Sequence, residues 1–372
     1  MPVRLTSFFM TVLAAFFAMT ALPTAAAEII PSVSARSAAL ISAADGKIIF
    51  EKNAGERLPM ASTTKIMTAV VALENAPFDD VVTVPREAVG IEGSSAYLTE
   101  GERFLLSDLL YAVMLSSAND AAVAVAYYVG GTVENFVSMM NEKAASLGLS
   151  DTSFANPNGL DADGHYTTAL DLARLAAYAL KNEIFRTIVS TQKYICGSRV
   201  FVNHNKLLKT YDGAIGVKTG FTKKSGRCLV SAAERGGTTL VAVTLHDPDD
   251  WKDHAAMLDF GFAHYKTVTF ANAGDCFYAI PDMTGQGRQV RCVATAKVEK
   301  TITSGGELYY LIECPRYLWG KIEDGQEVGR VTVTRSGKVV AEIPLFAEVE
   351  ETKKSSLFGR IIEFFRKIFG NG

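Results

Sequence analysis

The sequence predicts an α+β protein, on three observations. Apolar β-type segments that pair around turn signals stand at both ends of a first domain, helix-patterned segments fill the interval between them, and a run of short β-type segments forms a second domain. The first domain is therefore read as an antiparallel sheet with a helical block inserted into its sequence.

Residues 1–27 carry Arg4, the apolar stretch LTSFFMTVLAAFFAMTAL and then PTAAA before Glu28. Charged, apolar and small-residue regions in that order make a secretory signal, with cleavage expected after Ala27; an uncleaved N-terminal anchor is the alternative. On either reading the body of the chain is exported.

The first domain is expected over residues 28–268. AALISAADGKIIFEKN reads as two strands joined at Asp45-Gly46, a pair that supplies the positive φ a tight hairpin needs. The run IMTAVVALE after Lys65 reads as a helix. Ser107 opens LLYAVMLSSANDAAVAVAYYVG, a largely buried helical region broken at the polar cluster from Ser116 to Asp120. Val133 to Leu147, stopped by Gly148, and Ala169 to Leu180 give further helices. GRCLVSAAERGGTTLVAVTLH supplies two apolar strands around Gly236-Gly237, the closing hairpin.

Composition shifts near residues 266–276. Over 269–350, CFYAI, QVRCVATAKV, ELYYLIEC, VGRVTVT and KVVAEIPL predict a small all-β domain with nothing catalytic in it. In the last segment, 351–372, the apolar residues between Leu357 and Phe369 fall within roughly 160° of a helical wheel and the polar ones fill the rest. With Lys353 and Lys354 before it, this segment is expected to lie as an amphipathic helix on an anionic membrane surface; docking on the protein's own core is the alternative.

The 372 residues are 48% hydrophobic, enough for two substantial cores. A net charge of −3 gives no footprint for nucleic acid. Five histidines without H-E-x-x-H spacing predict no metal site. Five cysteines, an odd number, leave at least one unpaired; Cys228 reads as a core residue, and Cys276, Cys292 and Cys314 allow one disulfide without fixing it.

Three short motifs carry the chemistry. Ser62-Thr63-Thr64-Lys65 sets a hydroxyl and an amine one helical turn apart, so a nucleophile faces a base that must be neutral to act. Desolvation and a neighbouring cation lower a lysine pKa in that way, and Lys218 is the expected neighbour. Ser117-Ala118-Asn119 places polar groups inside an apolar helical region, where burial without partners is costly. Lys218-Thr219-Gly220 precedes a hairpin, on an expected edge strand beside the cleft. S-x-x-K, S-x-N and K-T-G in this order form the set of penicillin-binding proteins and class A β-lactamases.

On these motifs, and on LPMASTTKIMTAVVALE, SSANDAAVAVA, NPNGLDADGHYTTALDLA and NKLLKTYDGAIGVKTGFT, the chain resembles the low-molecular-mass penicillin-binding proteins, serine-type D-alanyl-D-alanine carboxypeptidases of the peptidase S11 family. The resemblance runs from about Ala38 through the tail. It implies a transpeptidase/β-lactamase-like domain, a β-rich C-terminal domain, and a terminal helix holding the enzyme on the outer face of the cytoplasmic membrane. It implies peptidoglycan stem peptides as substrates, β-lactam antibiotics as inhibitors and no cofactor.

Carried over by motif, Ser62 is the nucleophile, Lys65 its base and Ser117 the proton relay to the leaving amine. Asn119 grips the substrate backbone, Lys218 lowers the pKa of its basic neighbours, and Thr219 meets the terminal carboxylate. Gly220 allows close approach of the substrate strand, and backbone N–H groups of Ser62 and Phe221 hold the oxyanion. Two departures stand out. Phe221 occupies a position where many relatives carry His. Asp247, Asp249, Asp250 and Trp251 stand where relatives place an arginine for the substrate carboxylate, so that partner is unassigned. His165 is read as a structural loop residue in preference to a catalytic one. The alternatives are a β-lactamase, disfavoured because no glutamate lies between Ser150 and Leu172, and a weakly catalytic penicillin-binding wall scaffold.

Overall fold

The computed structural model describes residues 30–281, 283, 289–318, 320 and 322–349. The expected signal segment and terminal helix lie outside the described residues. The chain begins with the hairpin β1 (Ser37–Ser42) and β2 (Ile48–Lys52). A 3-10 turn, Ala61–Thr64, runs directly into α1 (Lys65–Asn75). A small ribbon follows, β3 (Val81–Thr83) with β4 (Arg103–Leu105), then α2 (Leu106–Leu115), α3 (Asn119–Gly130) and α4 (Val133–Ser146).

After a long loop come α5 (Ala169–Ala179), α6 (Glu183–Ser190), the hairpin β5 (Lys193–Cys196) and β6 (Arg199–Val202), and the single turn α7 (Leu207–Thr210). Strands β7 (Ala214–Thr222), β8 (Gly226–Arg235) and β9 (Thr238–Leu245) lead to α8 (Asp250–His264).

The two terminal hairpins join into one antiparallel sheet, ordered β2-β1-β9-β8-β7, because β1 pairs with β9 along its whole length. The central strands are buried on both faces. Ala39, Ile41, Val230 and Val243 pack into the core shared with α1, α2, α3 and α5, while Leu40, Ala233, Leu240 and Ala242 pack against Met257 and Leu258 of α8. This explains why LVSAA and LVAVTL read as continuous apolar runs and not as alternating ones. Strand β7 is left at the edge, beside the 3-10 turn.

Local chemistry sets the helix starts. Thr132, Thr168 and Asn182 cap α4, α5 and α6, accepting hydrogen bonds from Asn135 N, Asp171 N, and both Ile184 N and Phe185 N. The break between α2 and α3 falls at Ser116–Ala118, where Ser117 takes a positive φ of 60°.

The second domain is built from β10 (Tyr265–Ala271), β11 (Cys276–Pro281), β12 (Gln289–Val293), β13 (Val298–Thr303), β14 (Leu308–Glu313), β15 (Glu327–Arg335) and β16 (Lys338–Glu348). It forms a five-stranded sheet, β11-β12-β16-β15-β14, and the pair β10-β13, around its own apolar core. Because β10 pairs with β13 from Tyr265 onward, the 268/269 boundary read from composition falls inside a strand. All five cysteines are free thiols. No helix among the described residues is long and apolar enough to cross a membrane.

Candidate active site

Ser62 sits in the 3-10 turn, which is held by side chains bonding back to the chain: Thr63 Oγ1 donates to Met60 O at 2.6 Å and Thr64 Oγ1 to Ala61 O at 2.8 Å. Ala61, just before Ser62, has φ 48°, a left-handed conformation that costs a non-glycine residue about 1–3 kcal/mol. Two glycines make room for this turn. A Cβ on Gly159 (φ 90°) would lie 2.1 Å from Ala61 O, and one on Gly220 would lie 3.1 Å from Ser62 N and Met60 O. Gly220 thus permits close approach of β7 to the turn carrying Ser62, and it also lines the cleft.

One turn on, Lys65 is fully buried. Its Nζ lies 3.1 Å from Ser62 Oγ, 2.7 Å from Asn119 Oδ1 and 2.5 Å from the carbonyl of Asn158. Burial drives its pKa well below the usual lysine value, the Lys218 charge pushes the same way, and Asp120 opposes in part. A neutral amine has two N–H groups and a lone pair. The two carbonyl-type oxygens take the hydrogens, which leaves the lone pair for the Ser62 hydroxyl.

Asn119 is also buried, and both ends of its amide are engaged inside the protein: Oδ1 on Lys65, Nδ2 donating to Glu92 O at 2.6 Å. What it holds in this structure is Lys65, where the sequence reading assigned it the substrate backbone. Lys218, on β7, is buried too and donates to Thr219 O at 3.0 Å. Desolvation brings its pKa down to about 7. Ser62, Ser117, Thr219, Gly220 and Phe221 line one cleft of about 460 Å³, with Ser94, His204, Arg227, Asp250 and Trp251 completing its wall. The eight residues expected at the site therefore divide into a cleft-lining set and a buried set of Lys65, Asn119 and Lys218 behind it.

Three contributors were not assigned from sequence. The carbonyl of Asn158 fixes Lys65, and its loop is tied to α1 by Thr68 Oγ1 donating to Pro157 O at 2.5 Å. The turn chemistry of Asn156-Pro157-Asn158-Gly159 was its signal. Asp120 accepts from Ser95 Oγ, Ala96 N and Leu98 N at 2.6–3.0 Å, holding the Ser94 loop against the cleft. Arg227, on a strand that reads as apolar, reaches the cleft wall. His165 is structural in its contacts: Nδ1 accepts from Ala155 N at 2.9 Å and Nε2 faces Thr64 Oγ1 at 2.8 Å, with burial holding its pKa at about 4.

Comparison with known proteins points one way. Residues 23–249 match the family model described as D-alanyl-D-alanine carboxypeptidase, peptidase S11, and residues 265–353 that of the penicillin-binding protein 5 C-terminal domain. The chain is 32% identical to D-alanyl-D-alanine carboxypeptidase DacF of Bacillus subtilis, over 91% of this chain and 90% of that one. It is 32% identical to DacC of Escherichia coli, over 92% and 91%. Among solved structures, penicillin binding protein 5 from Haemophilus influenzae superposes with a TM-score of 0.74 at 28% identity, over 85% of this chain and 97% of that one. The Streptomyces K15 DD-transpeptidase gives 0.60 at 36% identity, over 63% and 99%.

Proposed function

The chain belongs to the D-alanyl-D-alanine carboxypeptidases of the peptidase S11 family, and from that membership we propose how its residues divide the work. The protein is a serine-type D-Ala-D-Ala carboxypeptidase and a penicillin-binding protein. Ser62 Oγ attacks the carbonyl between the two terminal D-alanines of a stem pentapeptide, and neutral Lys65 takes its proton. The single observation that carries this assignment is the Lys65 amine, buried and bonded to Asn119 Oδ1 and Asn158 O, at 3.1 Å from Ser62 Oγ.

The oxyanion is held by the N–H groups of Ser62 and Phe221; the Gly220 backbone packed against Ser62 N supports their proximity. Ser117 relays the proton to the departing D-alanine amine. Burial, with help from the Lys218 charge, favours the neutral form of Lys65; Asn119 keeps the amine aimed, and Thr219 meets the substrate. Water then hydrolyses the acyl-serine with Lys65 again as base. Penicillin enters the same path and stalls at the acyl-enzyme.

The signal-like residues 1–27 and the amphipathic residues 351–372 support an exported enzyme resting on the outer face of the cytoplasmic membrane. Liposome flotation of the full chain against a truncation after Thr352 tests the membrane helix; equal binding rules that helix out as the anchor. For the activity, protein lacking 1–27 and 351–372 is expected to release D-alanine from a pentapeptide and to form a long-lived penicilloyl adduct on Ser62. Rapid penicillin turnover would indicate a β-lactamase, and an adduct without D-alanine release a scaffold.

A further inference from the structure

A carboxypeptidase substrate ends in a free carboxylate, so any partner assigned to that carboxylate rests on the carboxypeptidase reading. A carboxylate entering a cleft gives up water, and hydrogen-bond donors of positive charge must take its place. Lys65 and Lys218 lie buried behind the cleft, at 0% and 1% exposure, the Lys65 amine bonded to Asn119 Oδ1 and Asn158 O and that of Lys218 to Thr219 O. Among the described residues lining the cleft, the guanidinium of Arg227 is the permanent cation.

Its placement is specific. Arg227 of β8 stands opposite Phe221 of the edge strand β7, so its side chain leaves the sheet on the face shared by Phe221 and Thr219. Asp250, at the start of α8, accepts from Nε at 3.0 Å and from Nη2 at 2.6 Å. The Asp250 side chain is 5% exposed and that of Arg227 45%, so the anion lies beneath and the cation faces outward. The Trp251 ring lies 5.9 Å from the guanidinium carbon. Asp247 turns elsewhere, accepting from Ser34 Oγ and Asp249 N.

A guanidinium has two edges that match a carboxylate, and Asp250 occupies one of them. We propose that the other edge of Arg227, through Nη1 and Nη2, receives the C-terminal carboxylate of the substrate beside Thr219, with Asp250 and Trp251 fixing its orientation. Because Asp250 offsets its charge, Arg227 acts at contact range as a shaped donor and not as a long-range attractor. The aspartate-rich start of α8 and the arginine on β8 are thus one device, and the acid that lacks a substrate role is the support of the residue that has it.

The test compares kcat/KM on a peptide ending in D-Ala-D-Ala with the same peptide carrying a C-terminal amide. In the wild type the acid is preferred. In Arg227→Gln the acid-to-amide ratio is expected to fall on the order of 100-fold, and in Arg227→Lys about 10-fold, since an ammonium keeps the charge but loses the fork. Asp250→Asn keeps Arg227 but loosens it, so the ratio falls to an intermediate value; this arm also covers the case of an Arg227 variant that fails to fold. An unchanged ratio in folded Arg227→Gln, or in Asp250→Asn if that variant alone folds, overturns the assignment while leaving the carboxypeptidase reading intact. Absence of D-alanine release by the wild type overturns that reading itself.

Discussion

Lys65 Nζ stands 3.1 Å from Ser62 Oγ, and its two closer polar contacts are both acceptors, Asn119 Oδ1 and the carbonyl of Asn158. An ammonium in this setting would have its three hydrogens directed at three oxygens, with no lone pair for the serine proton. The neutral amine that burial favours is the form able to work as a base.

Replacing Lys65 by arginine keeps a cation in place and removes the ability to become neutral. Acylation of Lys65→Arg by penicillin is expected to fall by about 100-fold or more, the usual scale of a lost general base. Stopped-time labelling with a fluorescent penicillin measures it, and wild-type labelling in the variant would exclude Lys65 as the base.

Asn119→Ala removes one of the two acceptors that aim the amine, so acylation should drop by about 10- to 100-fold with Ser62 still in position. The same substitution also frees Glu92 O. Thermal denaturation alongside the labelling assay separates the two effects. A variant that is destabilised yet labels at the wild-type rate would show that the Asn119 contact is architectural.

The Lys218 charge lowers the Lys65 pKa, so removing it raises that pKa. In Lys218→Met the rising limb of the pH profile for acylation should therefore move to higher pH. A limb that stays in place, or moves to lower pH, contradicts the electrostatic role given to Lys218.

Gly159→Ala would drive a Cβ into Ala61 O at a residue with φ 90°. It should cost about 1–3 kcal/mol or more in stability and displace the Ser62 turn, lowering acylation as well. Chemical denaturation and penicillin labelling check the two parts, and a variant that retains both would show that the loop yields.

His254 is fully buried, within 2.5 Å of Ser231 Oγ and 3.0 Å of Thr244 Oγ1, with its pKa held at about 3 by desolvation. In the unfolded chain it takes a proton near pH 6.5. The unfolded state thus binds more protons as pH falls below 6.5, so stability is lost from there down toward pH 3, at about 1.4 kcal/mol for each unit once the unfolded imidazole is charged. His165, held at about 4, adds to the upper part of this window. Urea denaturation between pH 7 and 4 should show the fall, and His254→Gln should flatten it.

The terminal hairpins were legible because Asp45-Gly46 and Gly236-Gly237 specify turns whatever packs on them, and the kink at Ser116–Ala118 because polar residues interrupt an apolar helix. Helix α8 was not read from sequence. Its opening aspartates looked like a departure from an expected arginine, although acids suit a helix N-terminus, and Arg227 holds one of them. The sequence grouped Ser62, Lys65 and Asn119 at one site, but only the structure shows that the Asn119 amide faces Lys65. The turn residues Asn156-Pro157-Asn158-Gly159 mark a loop, but that the Asn158 carbonyl meets Lys65 is set by the backbone fold and is not written in the side chains. Strand β10 begins at Tyr265, directly after α8, so the shift in composition near residues 266–276 falls within and after this strand.

The most direct test of the neutral base is an NMR titration of lysine labelled at Cε, with the Lys65 signal assigned by its loss in Lys65→Arg. The signal is expected to titrate well below 10.5, so that the amine is neutral where the enzyme works. A Lys65 signal that titrates near 10.5, leaving an ammonium beside Ser62 at neutral pH, would contradict it.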